Sequence, residues 1–199
     1  MTFDRAALLD AFADLGRRAW AEGASIEIAV YGGSALMLVF DWRAATKDVD
    51  GVFENDRAIV RRLAADVAAE RGWPSDWLND GVKGFLSTRD GEAGMKHLTG
   101  EFPSTDEPGL RVFVPRLEYL FAMKCRAMRL GGVDENRDIE DIRHLAASIG
   151  INTADDAIAL VSSFYPRLHL QPKVQFGLEE IFSCVPGQAA DPDESEKPA

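Results

Sequence analysis

The segment Val30–Phe53, VYGGSALMLVFDWRAATKDVDGVF, constrains this chain more than any other. It reads as the end of a strand, a Gly32-Gly33 turn, a short apolar helix over SALMLVF, and a second strand, KDVDGVF, carrying Asp48 and Asp50. Residues two apart on a strand share a face, so the two carboxylates stand side by side. A cation between them relieves their repulsion, and Mg²⁺ takes one or two carboxylates together with substrate phosphates. The same residues also read as a solvated strand end in which Asp50-Gly51 makes a turn.

The turn ahead of them has its own chemistry. Two glycines between a strand and a helix let backbone approach a ligand closely, and the helix's first N–H groups then point at it; phosphate is the usual guest. Ser34 can add a hydroxyl to such a ligand or cap its own helix. Arg43 and Lys47 can meet phosphate or simply solvate the loop. The pattern is not a Walker A loop, which needs Gly-Lys-Ser/Thr, nor GxGxxG, nor the GxSxG of a nucleophilic serine.

Upstream, Ala7, Leu8, Ala11, Phe12, Leu15 and Ala19 at helical spacing predict a first helix over Ala6–Ala21, and SIEIAVY a strand entering the glycine turn. Downstream, DRAIVRRLAADVAAERG predicts a helix ended by Gly72. From Trp73 to Pro108 the signals weaken: WPSDWLNDG is turn-rich, VKGFLS reads as a short strand, and TRDGEAG and PSTDEPG as loops. LRVFVP is a third strand closed by Pro115. Helices are predicted over Arg116–Leu130, then, after a Gly131-Gly132 break, over Asn136–Ile149, Thr153–Phe164 and Val174–Phe182. The tail 186–199 has almost nothing to bury and is expected to be disordered.

With 199 residues, 46% of them hydrophobic, one core is expected. Cys125 and Cys184 show no CxxC spacing, so neither a disulfide framework nor a zinc knuckle is suggested, and a reduced, cytoplasmic protein is the plain reading. Neither a signal peptide nor a run of membrane-spanning length is read, so no membrane partner is expected. A net charge of −11 argues against non-specific coating of nucleic acid. Between Arg111 and Arg143, however, seven basic residues face six acidic ones, which marks that stretch as the one to meet an anion.

Within it, Lys124 interrupts the apolar stripe Leu117, Leu120, Phe121, Ala127, Met128, where an aliphatic residue would pack better. Such a lysine either snorkels, pairs with a buried carboxylate, or points into a cleft. Asp138 and Asp141 lie three apart beside the line Ile139, Ile142, Leu145, Ala146, Ile149; as helix-start acids they would cap the helix and favour its dipole.

GGSALML followed by RAATKDVD resembles the opening of the nucleotidyltransferase superfamily with the DNA polymerase β-like fold, in which a Gly-Ser turn precedes DxD or DxE on the next strand. PRLEYLFAMKCRAMRLGGVDENRDIEDIRHL is similar to the lysine helix and RDxxD helix of bacterial AbiEii-like and related uncharacterised nucleotidyltransferases, many of them linked to toxin–antitoxin or phage-defence loci. The likeness covers roughly Ile26–Leu145. It implies an α+β fold: a small mixed sheet flanked by helices in a nucleotidyltransferase-like core over 1–115, and a helical region over 116–185 completing the cleft. It implies transfer of a nucleoside monophosphate from an NTP to an RNA, protein or small-molecule acceptor, with Mg²⁺ (or Mn²⁺) on Asp48 and Asp50. Gly32, Gly33, Ser34 and Lys47 would bind nucleotide, Lys124 would meet the triphosphate, and Asp138 and Asp141 would orient Lys124 or polarise the acceptor. A cognate antitoxin is a partner by the same analogy.

The sequence departs from that pattern at one place. A third metal carboxylate is usual on a later strand of the sheet, and LRVFV offers Arg111 and Phe113; Asp80 is a conceivable substitute. The alternative reading is a nucleotidyltransferase-fold module that binds nucleotide and regulates without catalysis. His97, His144 and His169 have no metal-ligand spacing and read as structural or surface residues, and Trp73 and Trp77 as packing rather than base-stacking groups.

Overall fold

The computed structural model describes residues 2–88, 96–129, 135–166 and 170–183. Helix α1 (Arg5–Ala21) leads into strand β1 (Ile26–Tyr31), helix α2 (Gly32–Val39), strand β2 (Val49–Phe53), helix α3 (Arg57–Arg71) and strand β3 (Leu78–Asn79). A 3-10 turn at Gly81–Phe85 precedes strands β4 (Lys96–Pro103) and β5 (Pro108–Pro115). Helices α4 (Leu117–Ala127), α5 (Glu135–Ile149), α6 (Ala154–Phe164) and α7 (Pro172–Ser183) follow. The strands form one mixed sheet in the order β3-β2-β1-β5-β4, so the chain is of the α+β class.

Central β1 pairs antiparallel with β2 and parallel with β5. One side of the sheet carries Ile26, Ile28, Val30, Leu110 and Val112, all buried, as the two-residue strand period requires. Helix α1 is started by Asp4, whose carboxylate accepts the Ala7 N–H at 2.8 Å, and it buries Leu8, Phe12, Leu15 and Ala19 along one stripe. It rides so close to the β4–β5 hairpin that a Cβ on Gly16 would overlap the Phe102 carbonyl, and one on Gly109 the Gly16 carbonyl. Helix α3 stops where Gly72 takes the left-handed conformation, φ +65°. The C-terminal helices join the sheet at the end of β1, where Tyr31 meets Tyr119 of α4 edge-on, ring centroids 6.5 Å apart.

Three sequence expectations need correction. VKGFLS is not a strand: Val82–Phe85 belong to the 3-10 turn, whose first N–H, on Gly81, is taken by the Asn79 side chain at 2.9 Å. Strand β4 was not foreseen, because KHLTGEFP has few β-branched residues and acquires its extended form from the ladder to β5. Helix α4 ends at Ala127 rather than Leu130, because the backbone turns extended at Met128 and Arg129 is drawn onto Asp138.

The Gly131-Gly132 break, most of TRDGEAG, His169, Cys184 and the tail 186–199 lie outside the described residues. Cys125 is buried, with its thiol pushed far up by desolvation. Among the described residues, no helix is long and apolar enough to cross a membrane.

Candidate functional site

Strand β1 runs into α2 without a loop: Tyr31 is the extended N-cap and Gly32, at φ +61°, is already helical in position. The register of β1 against β2 sets Tyr31 opposite Asp50, which brings that carboxylate beside the turn. A Cβ on Gly32 would stand 2.8 Å from Asp50 Oδ2, and one on Gly33 would stand 2.7 Å from Arg43 Nη2 and 3.2 Å from Thr46 Oγ1. A side chain at either position would have to displace the Asp50 carboxylate or the Arg43 guanidinium, and Gly32 is also favoured by its left-handed backbone. Ser34 is buried and donates its hydroxyl to the Tyr31 carbonyl at 2.9 Å, closing its own helix rather than facing the cleft.

Asp50 lies half-buried in β2, while Asp48, one residue ahead of that strand, is exposed. Burial, followed by the charge of Asp48, pushes the Asp50 carboxyl up to about 6; the Lys124 charge and a hydrogen bond with the Asn79 side chain oppose the shift. Asn79 sits opposite Asp50 in the β2–β3 pairing, a neighbour that residue spacing gave no means of finding. Two carboxylates whose mutual charge is only partly neutralised suit a divalent cation. Among the described residues, no group of three or more His, Cys, Asp or Glu is placed to hold a metal.

A second cluster faces it. Leu120, Met123, Lys124 and Ala127 share the α4 face that lines the cleft, at helical spacing. The Lys124 ammonium reaches Asp138 Oδ1 at 3.2 Å and Asp141 Oδ2 at 2.6 Å. Arg43 Nη1 bonds both oxygens of Asp141, at 2.7 and 2.8 Å, and Arg129 Nε bonds Asp138 Oδ2 at 2.9 Å. Both aspartates are at most 3% exposed. Burial works to raise Asp138, but the Arg129 hydrogen bond and the Lys124 charge outweigh it and hold the carboxyl below its ordinary value. Neither aspartate is a helix-start acid facing water; α5 turns both inward onto cations from other elements.

These groups open on one cleft of about 850 Å³, within the ordinary size of a small-molecule site. Gly32, Gly33, Lys47, Asp48, Asp50, Lys124 and Asp138 line it. So do Arg43, Arg126, Arg129, Arg137 and Lys173, which makes seven basic side chains against three acidic ones on a chain of net charge −11. The concentration of positive charge at this one place favours an anionic ligand.

Other sequence candidates stand elsewhere. Asp80 is held by Arg57, Arg61 and Lys83 and does not line the cleft. The sheet face shared with Asp50 carries Phe113 and Arg111 on β5, the latter tied to Glu101 and Glu27. Trp77 is buried, with its indole N–H on the Ala64 carbonyl, and Trp73 packs against it. His144 stacks on Trp42 with ring centroids 4.5 Å apart, and His97 is exposed on β4. Sequence reasoning missed Asn79, Thr46 and Arg129, and gave Arg43 no carboxylate partner.

No protein-family model matches the chain, and neither does any curated protein or solved structure.

Proposed function

We propose that the chain is a nucleotidyltransferase that moves a nucleoside monophosphate from a nucleoside triphosphate to an acceptor. One observation carries this reading: a left-handed glycine turn, a carboxylate pair and a lysine anchored by buried acids converge on one cationic cleft from four separate parts of the sequence. In the reaction, an acceptor hydroxyl forms a P–O bond to the α-phosphorus. The bond to the bridging oxygen breaks, pyrophosphate leaves, and the hydroxyl proton passes to solvent.

Gly32 and Gly33 lack a Cβ and so leave room for the Asp50 carboxylate and the Arg43 guanidinium against the turn, where the first N–H groups of α2 would meet the triphosphate. Asp48 and Asp50 would hold Mg²⁺ (or Mn²⁺), which when bound supplies charge neutralisation at the phosphates and activation of the attacking oxygen. Lys124 and Arg43, fixed by Asp141, present preorganised positive charge to the phosphate oxygens, while Asp138 steadies Lys124 from its other side. Asp138 and Asp141 are thus positioning residues. Lys47 adds charge at the rim.

A second reading has support from the sheet itself. Phe113 and Arg111 occupy the β5 positions on the Asp50 face, where a third carboxylate would complete a two-metal centre. A module that binds nucleotide without turning it over would accept that arrangement.

Nucleotide titration with and without Mg²⁺, together with pyrophosphate release, separates the two. The transferase binds NTP more tightly with Mg²⁺, loses that gain in Asp50→Asn, and releases pyrophosphate when acceptor is present. Binding indifferent to Mg²⁺, with no pyrophosphate from any NTP in a cell extract, would replace the transferase with the binding module. An RNA end, a protein hydroxyl or a small molecule can each be the acceptor, and a toxin role with a cognate antitoxin would appear as growth arrest relieved by Asp50→Asn.

A further inference from the structure

The same cleft has a second, chemically different wall. The phosphate-directed groups come from the Gly32-Gly33 turn, the Arg43 loop, β2 and Lys124, whereas Val82 and Phe85 come from the 3-10 turn, Leu170 from just ahead of α7 and Val174 from its first turn. Leu120 and Met123, buried core residues of α4, back this wall. Phosphate oxygens have no use for such a wall, so a ligand that fills the cleft carries an apolar part as well as anionic charge.

Phe85 is the distinctive member. Phe85 is 41% exposed and lines the cleft. Its backbone is nevertheless fixed from two sides: the Phe85 carbonyl accepts the Tyr165 hydroxyl at 2.7 Å and Arg126 Nη1 at 3.3 Å. The Arg126 guanidinium in turn lies 4.6 Å over the Tyr165 ring. The ring is thus held on a braced backbone with much of its surface open. Gln171, exposed on the same cleft, carries an amide with both donors and an acceptor, the complement that the edge of a nucleobase requires.

We propose that this wall seats the nucleobase of the nucleotide, with the Phe85 ring as its stacking platform and Gln171 beside the base edge. The assignment rests on the nucleotidyltransferase reading, in which triphosphate occupies the cationic end. Stacking on an aromatic side chain tolerates any base, so Phe85 sets affinity and Gln171 sets preference.

The test compares two probes on the full-length protein with Mg²⁺: each nucleoside triphosphate, and inorganic tripolyphosphate, which has no base. Phe85→Ala is expected to weaken NTP binding about tenfold or more and to leave tripolyphosphate binding and the melting temperature unchanged. Phe85→Trp is expected to retain NTP binding, and Gln171→Ala to narrow the differences among the four NTPs. Unchanged NTP affinity in Phe85→Ala, with tripolyphosphate still bound, would overturn the base seat and leave the triphosphate site standing. Equal weakening of both probes would reduce Phe85 to a structural residue. Failure of the wild type to bind either probe would remove the underlying reading and the base seat with it.

Discussion

Asp141 grips Arg43 through both carboxylate oxygens, at 2.7 and 2.8 Å, across 98 residues of sequence. The same carboxylate takes the Lys124 ammonium at 2.6 Å, so one buried acid on α5 sets the position of two cations on two other elements. A buried charge of this kind is costly when its partners are removed, and the partners are equally costly without it.

Replacement of Asp141 should therefore register in both stability and function. Asp141→Ala is expected to destabilise the fold by about 3–5 kcal/mol, measured by denaturant unfolding, because it leaves Arg43 without its carboxylate and Lys124 with Asp138 alone. Asp141→Asn retains shape and hydrogen-bonding capacity and should fold, yet bind nucleotide more weakly because neither cation is held in place. Wild-type nucleotide affinity in Asp141→Asn would separate this network from the cleft's function.

Two of the left-handed glycines offer a matched comparison. Gly32 at φ +61° and Gly72 at φ +65° incur the same backbone penalty as alanine, about 1–2 kcal/mol. Only at Gly32 does the new Cβ meet anything, Asp50 Oδ2 at 2.8 Å; at Gly72 nothing lies within 4 Å. Gly32→Ala should lose at least as much stability as Gly72→Ala, and only Gly32→Ala should lose nucleotide binding and transfer.

Asp50 should be a site of stability given up for function. The fold raises its carboxyl to about 6, so the folded chain holds that proton more tightly than the unfolded chain does. The stabilising contribution is full below the ordinary carboxylate value near 3.8 and is lost as pH rises through about 6. Asp50→Asn removes the buried charge and is expected to be more stable than wild type by about 1–2 kcal/mol at pH 7–8. The gap should narrow as pH is lowered from 6 toward 4, as read by thermal or urea unfolding across pH. For the same reason Mg²⁺ must displace a proton below pH 6, and its apparent affinity should rise between pH 5 and 7.

Packing of α1 on the hairpin tests the fold independently of the site. Gly16→Ala places a methyl group against the Phe102 carbonyl, which is backbone and cannot turn aside. A loss of about 2–3 kcal/mol or more is expected, with the melting temperature as readout, since overpacking forces the helix and the hairpin apart.

Local pattern made the central segment legible. The helical spacing of Leu8, Phe12 and Leu15, the alternation in SIEIAVY, and Gly72 as a helix stop are short-range signals, and each names its element in the structure. The two-residue period is another, although Asp48 stands one residue ahead of β2 and joins Asp50 as a lining residue of the cleft rather than on the strand. What remained hidden is set by distant contacts. Strand β4 exists through pairing with β5, and Asn79 reaches Asp50 only because β3 adds to the far side of β2. Arg43 looked like one more loop charge because its partner Asp141 lies on a helix far along the chain. Lys124, by contrast, was conspicuous as a charge in an apolar stripe, and the structure gives it the buried carboxylates that such a position demands.

Label transfer with paired isotopes addresses the central claim most directly. Wild-type and Asp50→Asn protein are each incubated with α-³²P- and γ-³²P-labelled NTPs, Mg²⁺ or Mn²⁺, and a mixture of RNA and cell protein. The account predicts that wild type transfers the α-label and not the γ-label to a discrete acceptor, and that Asp50→Asn, folded and at least as stable, transfers neither. Transfer of the α-label undiminished in Asp50→Asn, or transfer of the γ-label in its place, would contradict it.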